Sequence, residues 1–142
     1  MRFMIIVKAT KDSEAGVMPS EQLLTDMGKF NEELVKAGVM LAGEGLQASS
    51  KGARVKYSGD KRTVIDGPFT EAKELIAGYW LIQVRSKDEA VEWASRVPFR
   101  DGEVEIRQVF EVSDFPAESF SPEQAAREQA MRDELQARAA HQ

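Results

Sequence analysis

Residues 3 to 9, FMIIVKA, begin with an unbroken run of residues that favour β-strands. The run is too short to form a helix of its own, so it predicts a strand. A second stretch, IAGYWLIQV at residues 76 to 84, predicts another. In residues 3 to 7 and 79 to 84, both odd and even positions are apolar, whereas an antiparallel sheet with one wet face should alternate. We therefore expect both faces of the sheet to be covered.

The segment between these strands predicts an amphipathic helix. Ser20 is a suitable N-cap and Gly38 a suitable C-terminal stop. The apolar positions between them recur at helical spacing: Leu23, Met27, Phe30 and Leu34. A second helix is predicted from Ser86, which forms a capping box with Glu89, to a point near Pro98.

Four further strands complete the predicted sheet and form one hairpin. Residues 39 to 46 form a strand in which two glycines suggest a bulge or a close backbone approach. Residues 53 to 57 and 62 to 66 alternate apolar and polar side chains on either side of a Ser-Gly-Asp-Lys turn, which predicts a hairpin. Residues 103 to 112 alternate again and form the last strand.

The order of these elements predicts an α+β fold with a ferredoxin-like antiparallel sheet and an inserted β-hairpin. Two helices cover only one face of such a sheet. A second copy of the chain is the economical cover for the other face, so we predict a homodimer with its sheets packed face to face. A capping box from Ser121 to Gln124 predicts an extra C-terminal helix. The predicted organisation is therefore a domain at residues 1 to 112, followed by a linker and helix at residues 113 to 142.

Composition narrows the classes of function. The chain has 142 residues, no cysteine, one histidine (His141) and a formal net charge of -5. Thiolate chemistry and ordinary zinc or copper sites are excluded by residue type, and no cofactor fingerprint or hard-metal spacing occurs, so we predict neither cofactor nor metal. The acidic balance argues against nucleic-acid binding. Without a long apolar run or an export signal, we expect a cytoplasmic protein with no membrane partner.

The sequence DGPFTEAKE at residues 66 to 74 allows two interpretations. As a structural corner, Gly67 takes unusual backbone angles, Pro68 fixes its own φ, and Phe69 enters the core. As a functional corner, Asp66 and the charged residues beyond the turn bind a polar ligand or share a proton. If Thr70 caps a helical turn, the two glutamates lie on one side; if the segment is extended, Glu71 and Lys73 share a face.

The order and spacing of several motifs resemble the DGPF-domain proteins of the YCII-related superfamily. They are Ala42-Gly43-Glu44-Gly45-Leu46, the Asp66–Glu74 motif, Gly78-Tyr79, Glu92-Trp93 and Glu105-Ile106-Arg107. The resemblance covers residues 1 to 112 and implies a dimeric α/β barrel of ferredoxin-like protomers. It implies no single activity: some relatives accompany extracytoplasmic-function sigma factors, others use a His-Asp pair. That pair is not carried over, because residues 1 to 112 contain no histidine.

Five side chains are candidates for a ligand site. We predict Asp66 as the catalytic acid or base if the protein is an enzyme, with Glu44, Glu71, Lys73 and Arg107 binding the ligand. The leading hypothesis is a cleft at the dimeric sheet that takes a small polar or aromatic molecule. For Arg107, we prefer an intramolecular pair with Asp66 or Glu44 over a substrate carboxylate. Whether catalysis occurs stays open.

The alternative hypothesis is a non-catalytic regulatory module that binds a protein partner through the charged C-terminal helix and the dimer surface, in a response linked to extracytoplasmic-function sigma factors. The two hypotheses differ in which part of the chain carries the function. One rests on side chains around the sheet, and the other on residues 121 to 142. Either would be consistent with a homodimer.

Overall fold

A computed structural model of the chain describes residues 1–140, so His141 lies outside the described residues. Six strands are present, namely β1 (Arg2–Lys8), β2 (Met40–Gly45), β3 (Ala53–Ser58), β4 (Lys61–Asp66), β5 (Ile76–Gln83) and β6 (Val104–Gln108). The α-helices are α1 (Lys11–Glu14), α2 (Glu21–Lys36), α3 (Lys87–Ser95) and α4 (Pro122–Ala140). Met1–Gln108 and Val109–Gln142 form two compact units, which are described separately below.

The first unit contains a four-stranded antiparallel sheet in the order β2-β5-β1-β6. With the hairpin set aside, this is the strand order of a ferredoxin-like sheet, and the predicted α+β fold is confirmed. The register of β2 against β5 shifts between Met40 and Ala42, before the two glycines that suggested a bulge. The hairpin β3–β4 forms a separate two-stranded sheet, as predicted.

One face of the four-stranded sheet packs against α2 and α3. Alternate side chains of β1 and β5 enter this core, including Ile5 and Ile82, which are fully buried against residues of both helices. Trp80 also lies in the core, where its indole nitrogen donates a hydrogen bond to Asn31 at 2.9 Å. Its neighbour Tyr79 is half-buried on the other face, because successive side chains of a strand point to opposite sides of the sheet.

The boundaries of α2 follow from its predicted capping residues. The Ser20 hydroxyl accepts a hydrogen bond from the Leu23 backbone at 3.1 Å, which satisfies one of the free amides at the helix start. Gly38 has a φ of 71°, the left-handed conformation that ends helices at little cost in glycine. Ser86 caps α3 in the same way, by accepting from the Glu89 amide.

The second unit begins at Val109, directly after β6, and the last strand is shorter than predicted. That strand was predicted to reach Val112, but β6 ends at Gln108. The Asp114 carboxylate accepts the Glu111 amide at 2.8 Å and so draws the chain into a 3₁₀ turn at Val112–Asp114. Such side-chain bonds to nearby backbone compete with a strand ladder.

The remainder of the second unit is organised by aromatic contacts and a capped helix. The ring of Phe115 lies 5.0 Å from that of Phe110 and 5.2 Å from that of Phe120. Ser121 and Gln124 form both hydrogen bonds of the predicted capping box at the start of α4. Within residues 1–140, no helix is both long and apolar enough to cross a membrane.

Candidate functional site

Most of the predicted site residues lie at one end of the four-stranded sheet. Here β1 and β2 end and β5 begins, so the long connection of residues 46–75 returns to this end. The connection carries three of the five candidates, Asp66, Glu71 and Lys73, all of them exposed. Glu44 lies near the end of β2, two residues before this connection starts. We call this region the loop end of the sheet.

The Gly67–Pro68 corner is held against the chain at Ser49. A Cβ atom added to Gly67 would lie 1.8 Å from the Ser49 carbonyl oxygen, which is far inside van der Waals contact. The Gly67 amide also donates to the Gly52 carbonyl at 3.0 Å, and the Gly67–Pro68 peptide is cis. Packing alone therefore explains why glycine occupies this position.

A partly buried set of hydrogen bonds, absent from the sequence-based predictions, connects the corner to α1. The Glu14 carboxylate accepts a hydrogen bond from the Ser49 amide at 3.0 Å and a second hydrogen bond from the Ser49 hydroxyl group. The same Ser49 oxygen accepts the Phe69 amide at 2.9 Å. Three segments that are distant in sequence thus share one partly buried polar group. We call Glu14, Ser49 and Phe69 the corner clamp.

The expectation that Phe69 enters the core is wrong. Its ring is half-buried outside the core cluster, and the Arg54 guanidinium carbon lies 3.8 Å from the ring centroid. The cation covers the ring because the clamp fixes the Phe69 backbone at the root of the hairpin rather than beneath the sheet. A guanidinium over an aromatic face is a favourable arrangement.

The segment after the corner forms a single 3₁₀ turn, Ala72–Glu74, so it follows the helical alternative and not the extended one. Glu71 occupies the N-cap position, and no side chain caps the turn, so Thr70 does not have the capping role considered above. The Ala9 amide donates to the Leu75 carbonyl at 2.9 Å, which places this turn beside the end of β1.

We call the sheet face opposite α2 and α3 in the first unit the open face. Cross-strand register places on it the half-buried residues Met4, Ile6, Tyr79 and Leu81. The same register adds Glu44 from one edge strand and Glu105 and Arg107 from the other. This open face therefore has an apolar floor between two charged edges.

Three charged side chains at the β6 edge form a cluster with an excess positive charge. Glu105 lies 3.5 Å from the Lys8 ammonium and 3.3 Å from the Arg107 guanidinium. The hydrogen bond from Arg107, followed by the charge of Lys8, holds the pKa of the Glu105 carboxyl below its usual range. Glu105 thus stays ionised at neutral pH and leaves one net positive charge. We call these residues the cationic edge.

The predicted pairing of Arg107 with Asp66 or Glu44 is wrong, because its partner is Glu105. The register explains the difference. Glu44 lies on β2 and Arg107 on β6, and two strands separate them. Neighbouring strands are roughly 4.8 Å apart, so the two edges are about 14 Å from one another across the sheet.

The described residues also contain a cavity away from these candidates. A shallow opening of about 520 Å³ lies at the other end of the sheet, between Met1, Gly38, Arg85 and Glu89. None of the five predicted residues lines it. Within residues 1–140, the His, Cys, Asp and Glu side chains form no group of three that could hold a metal ion.

Sequence reasoning missed Lys8, Glu105, Glu14 and Ser49. The strand alternation that exposes Glu105 was visible, and its position two residues before Arg107 was a usable signal for a pair. The corner clamp had no such signal, because α1 is only four residues long and Ser49 is 35 residues from Glu14. Contacts of that kind depend on the folded chain.

Comparison with known proteins agrees with the fold and motifs. The family model for the YCII-related domain matches residues 1–113, so the chain belongs to this family. A similar relative is "Uncharacterized protein R00369" of Rhizobium meliloti (strain 1021), which is 32% identical over 74 residues. That match includes 52% of this chain, and the chain spans 60% of the length of this curated relative.

A solved structure is also similar to this chain. It is the 5-chloro-2-hydroxyhydroquinone dehydrochlorinase of Burkholderia phenoliruptrix AC1100 in complex with 2,5-dihydroxybenzoquinone. The alignment covers 82% of this chain and all of that chain, with 13% identity and a TM-score of 0.41.

Proposed function

We propose that the protein is a homodimer that binds a small polar or aromatic molecule at the open face of its sheet. The observation that carries the proposal is the apolar floor of half-buried residues between two charged edges. Ligand sites commonly combine an apolar surface with a few convergent polar groups. The part of the floor that borders the charged edges takes the body of the ligand, and the charged residues orient it.

The second copy supplies the enclosure that one protomer lacks. Met4, Ile6 and Leu81 face away from both helices, and no third layer of secondary structure belongs to the ferredoxin-like unit. Face-to-face packing of two sheets about a twofold axis covers this apolar surface and leaves a cleft at its margins. Sedimentation at micromolar concentration tests the dimer, and a monomeric protein would contradict it.

The candidate residues have distinct roles in this proposal. Arg107 and Lys8 attract an anionic group of the ligand, because their two charges exceed the single charge of Glu105. Glu44 lines the opposite edge of the face, while Glu71 and Lys73 contribute from the loop end. If the ligand is transformed, the Asp66 carboxyl group transfers the proton. It accepts a proton from the ligand as a general base or donates one as a general acid.

A thermal-shift screen against a metabolite library tests ligand binding. A compound that binds the native state raises its apparent stability. We expect Arg107→Gln and Asp66→Asn to reduce the shift that a true ligand gives to the parent protein. Arg96→Gln is the matched control, because Arg96 is the C-cap of α3, on the covered side of the sheet. Equal shifts in all four proteins would exclude the proposed site.

The second candidate function is a non-catalytic module that binds a protein partner. It is favoured by α4, on which Met131 and Leu135 are four residues apart and more than half exposed. Residues at this spacing share one side of a helix and form a typical groove-binding pair. Removal of residues 121–142 should abolish partner capture and leave the oligomeric state unchanged. Undiminished capture by the shortened chain would rule this function out.

A further inference from the structure

The cationic edge contains two cations that one carboxylate only partly neutralises. The Arg107 side chain is 72% exposed, and one of its terminal nitrogens donates a hydrogen bond to Glu105 at 3.3 Å. A guanidinium group carries several N–H donors in a planar fork. Within residues 1–140, Glu105 is the only hydrogen-bond partner of this fork, so most of its donors remain for a ligand.

Glu105 holds the second cation with its other oxygen. Its Oε1 lies 3.5 Å from the Lys8 ammonium, whereas its Oε2 accepts the hydrogen bond from Arg107. Lys8 is the more buried of the two cations, with 22% of its side chain exposed. One carboxylate therefore keeps two positive groups close to each other, although they would repel one another without it.

Apolar side chains lie directly beside these charges. Cross-strand register pairs Glu105 with Ile6 and Arg107 with Met4, and both of these β1 residues are half-buried. Directly opposite residues of an antiparallel pair have Cβ atoms about 4.5–5.5 Å apart. A molecule whose anionic group reaches Arg107 therefore places its next few atoms on Met4 and Ile6. The apolar body of such a ligand must be joined closely to its anionic group.

The balance of charge at this edge favours a ligand with a single negative charge. Lys8 and Arg107 carry two positive charges and Glu105 carries one negative charge, which leaves +1. A carboxylate neutralises this excess and matches the planar guanidinium fork. A phosphate monoester carries about -1.5 to -2 charges at neutral pH, so it would leave an excess of negative charge beside Glu105. Neutral and cationic groups gain no attraction from the two cations.

We propose that the ligand of the open face is a carboxylate monoanion with an apolar body, which Arg107 and Lys8 bind at the cationic edge. Glu105 is a positioning residue: it holds both cations and sets the preference for one negative charge over two. The proposal rests on the ligand site of the proposed function. It adds the chemical class of the ligand and a role for Glu105.

Probes with the same phenyl ring and different head groups test this class of ligand. Benzoate, phenyl phosphate, benzyl alcohol and benzylamine are titrated into the intact chain at neutral pH, and NMR shifts of the β6 backbone amides report binding. We expect the dissociation constant of benzoate to be at least about fivefold below that of phenyl phosphate. Benzyl alcohol and benzylamine should give no saturable shift. Lys8→Gln and Arg107→Gln should each raise the benzoate constant about tenfold, since each removes a charged partner of the carboxylate.

Glu105→Gln gives the sharper measurement, because loss of this carboxylate raises the charge of the edge from +1 to +2. In this variant phenyl phosphate should bind more tightly than benzoate, a reversal that a merely structural role of Glu105 would not produce. Glu92→Gln is the matched control, since Glu92 forms an exposed pair with Arg96 at 3.0 Å and its loss changes the total charge equally. The control should keep the parent's order of probes. The same spectra show that each variant keeps the parent fold.

The outcomes separate this proposal from the one on which it rests. Benzoate that gives no saturable shift at millimolar concentration, or that binds no better than benzyl alcohol, would overturn the carboxylate class. An unchanged order of probes in Glu105→Gln would overturn the role of Glu105. If the metabolite screen still yields a ligand whose thermal shift depends on Arg107 and Asp66, the proposed site stands without this class. If the screen yields none, both proposals fail.

Discussion

The two faces of the four-stranded sheet are built from the same strands and differ in what covers them. Phe3, Ile5, Trp80 and Ile82 are at most 4% exposed beneath α2 and α3. Their immediate neighbours in β1 and β5 are apolar too, yet they are only half-buried and have charged residues at their edges. Apolar strands therefore do not by themselves define a core. The helices α2 and α3 complete one face, and the side chains of the other face point away from both helices.

The largest expected effect separates these two faces by stability. Ile82→Ala should lower the free energy of unfolding by about 2–5 kcal/mol, because the cavity it leaves lies in a closed core. Leu81→Ala, its neighbour on the open face, should lower it by about 1 kcal/mol, since less of its surface is removed from water. Urea unfolding measures both. Equal losses in dilute protein would show that the faces are not different.

A second test asks whether the loop end of the sheet is as tightly packed as the covered face. Gly67→Ala should destabilise the protein by about 2 kcal/mol or more, because the added methyl group meets the Ser49 carbonyl. Gly45→Ala is the matched control, since its Cβ would meet no atom within 4 Å. Chemical denaturation of both variants gives the comparison. A neutral Gly67→Ala would mean that the corner rearranges easily.

A smaller and more local change should follow loss of the corner clamp. Ser49→Ala removes the acceptor of the Phe69 amide and one donor to Glu14, which should cost about 1 kcal/mol. Hydrogen exchange at the Phe69 amide should accelerate about fivefold, while the core amides of β5 keep their rates. Ser50→Ala, at the neighbouring exposed position, is the control. If both variants behave alike, the clamp does not hold the corner.

The smallest effect concerns the cationic edge. Arg107→Gln should raise the pKa of Glu105 towards its ordinary value of about 4.3, because the largest cause of its lowering is removed. At pH values above that ordinary pKa, the Glu105–Arg107 pair stabilises the folded state. This stabilisation is lost as the pH falls through the lower pKa of Glu105 in the folded state. Carboxyl NMR during an acid titration follows this group. An unchanged titration, matching that of Arg96→Gln, would show that the pair is not formed.

Much of the fold was predictable because local signals agreed with the tertiary arrangement. Ser20 and Gly38 bound the second helix as expected, and the Ser-Gly-Asp-Lys turn joined the predicted hairpin. The last strand was predicted too long, because apolar and polar side chains continue to alternate beyond Gln108. There the Asp114 carboxylate accepts the Glu111 amide, which ends the strand. A periodic pattern of apolar residues does not show which backbone amides will donate hydrogen bonds to a nearby side chain.

The candidate site was less predictable for a related reason. Residue type selected Asp66, Glu44, Glu71, Lys73 and Arg107 as candidates, and all of them except Arg107 lie at or near the loop end of the sheet. The partner of Arg107 was wrong, since strand order separates the two edges and register gives it Glu105. Phe69 was assigned to the core on its apolar character, although the clamp holds its backbone elsewhere. The residue type shows which contacts a side chain is able to form, and its position in the fold decides which of them it forms.

The sequence by itself determined the α+β class, the helix boundaries, the hairpin and the family, because capping residues, periodicity and turn chemistry act over a few neighbouring positions. Only the tertiary structure decided that Glu14 accepts hydrogen bonds from Ser49 and that Lys8 and Arg107 both form ion pairs with Glu105. It also decided that both strands of the hairpin β3–β4 are exposed along their whole length. These contacts join residues far apart in the chain, so their existence depends on strand order and register, which no local pattern encodes.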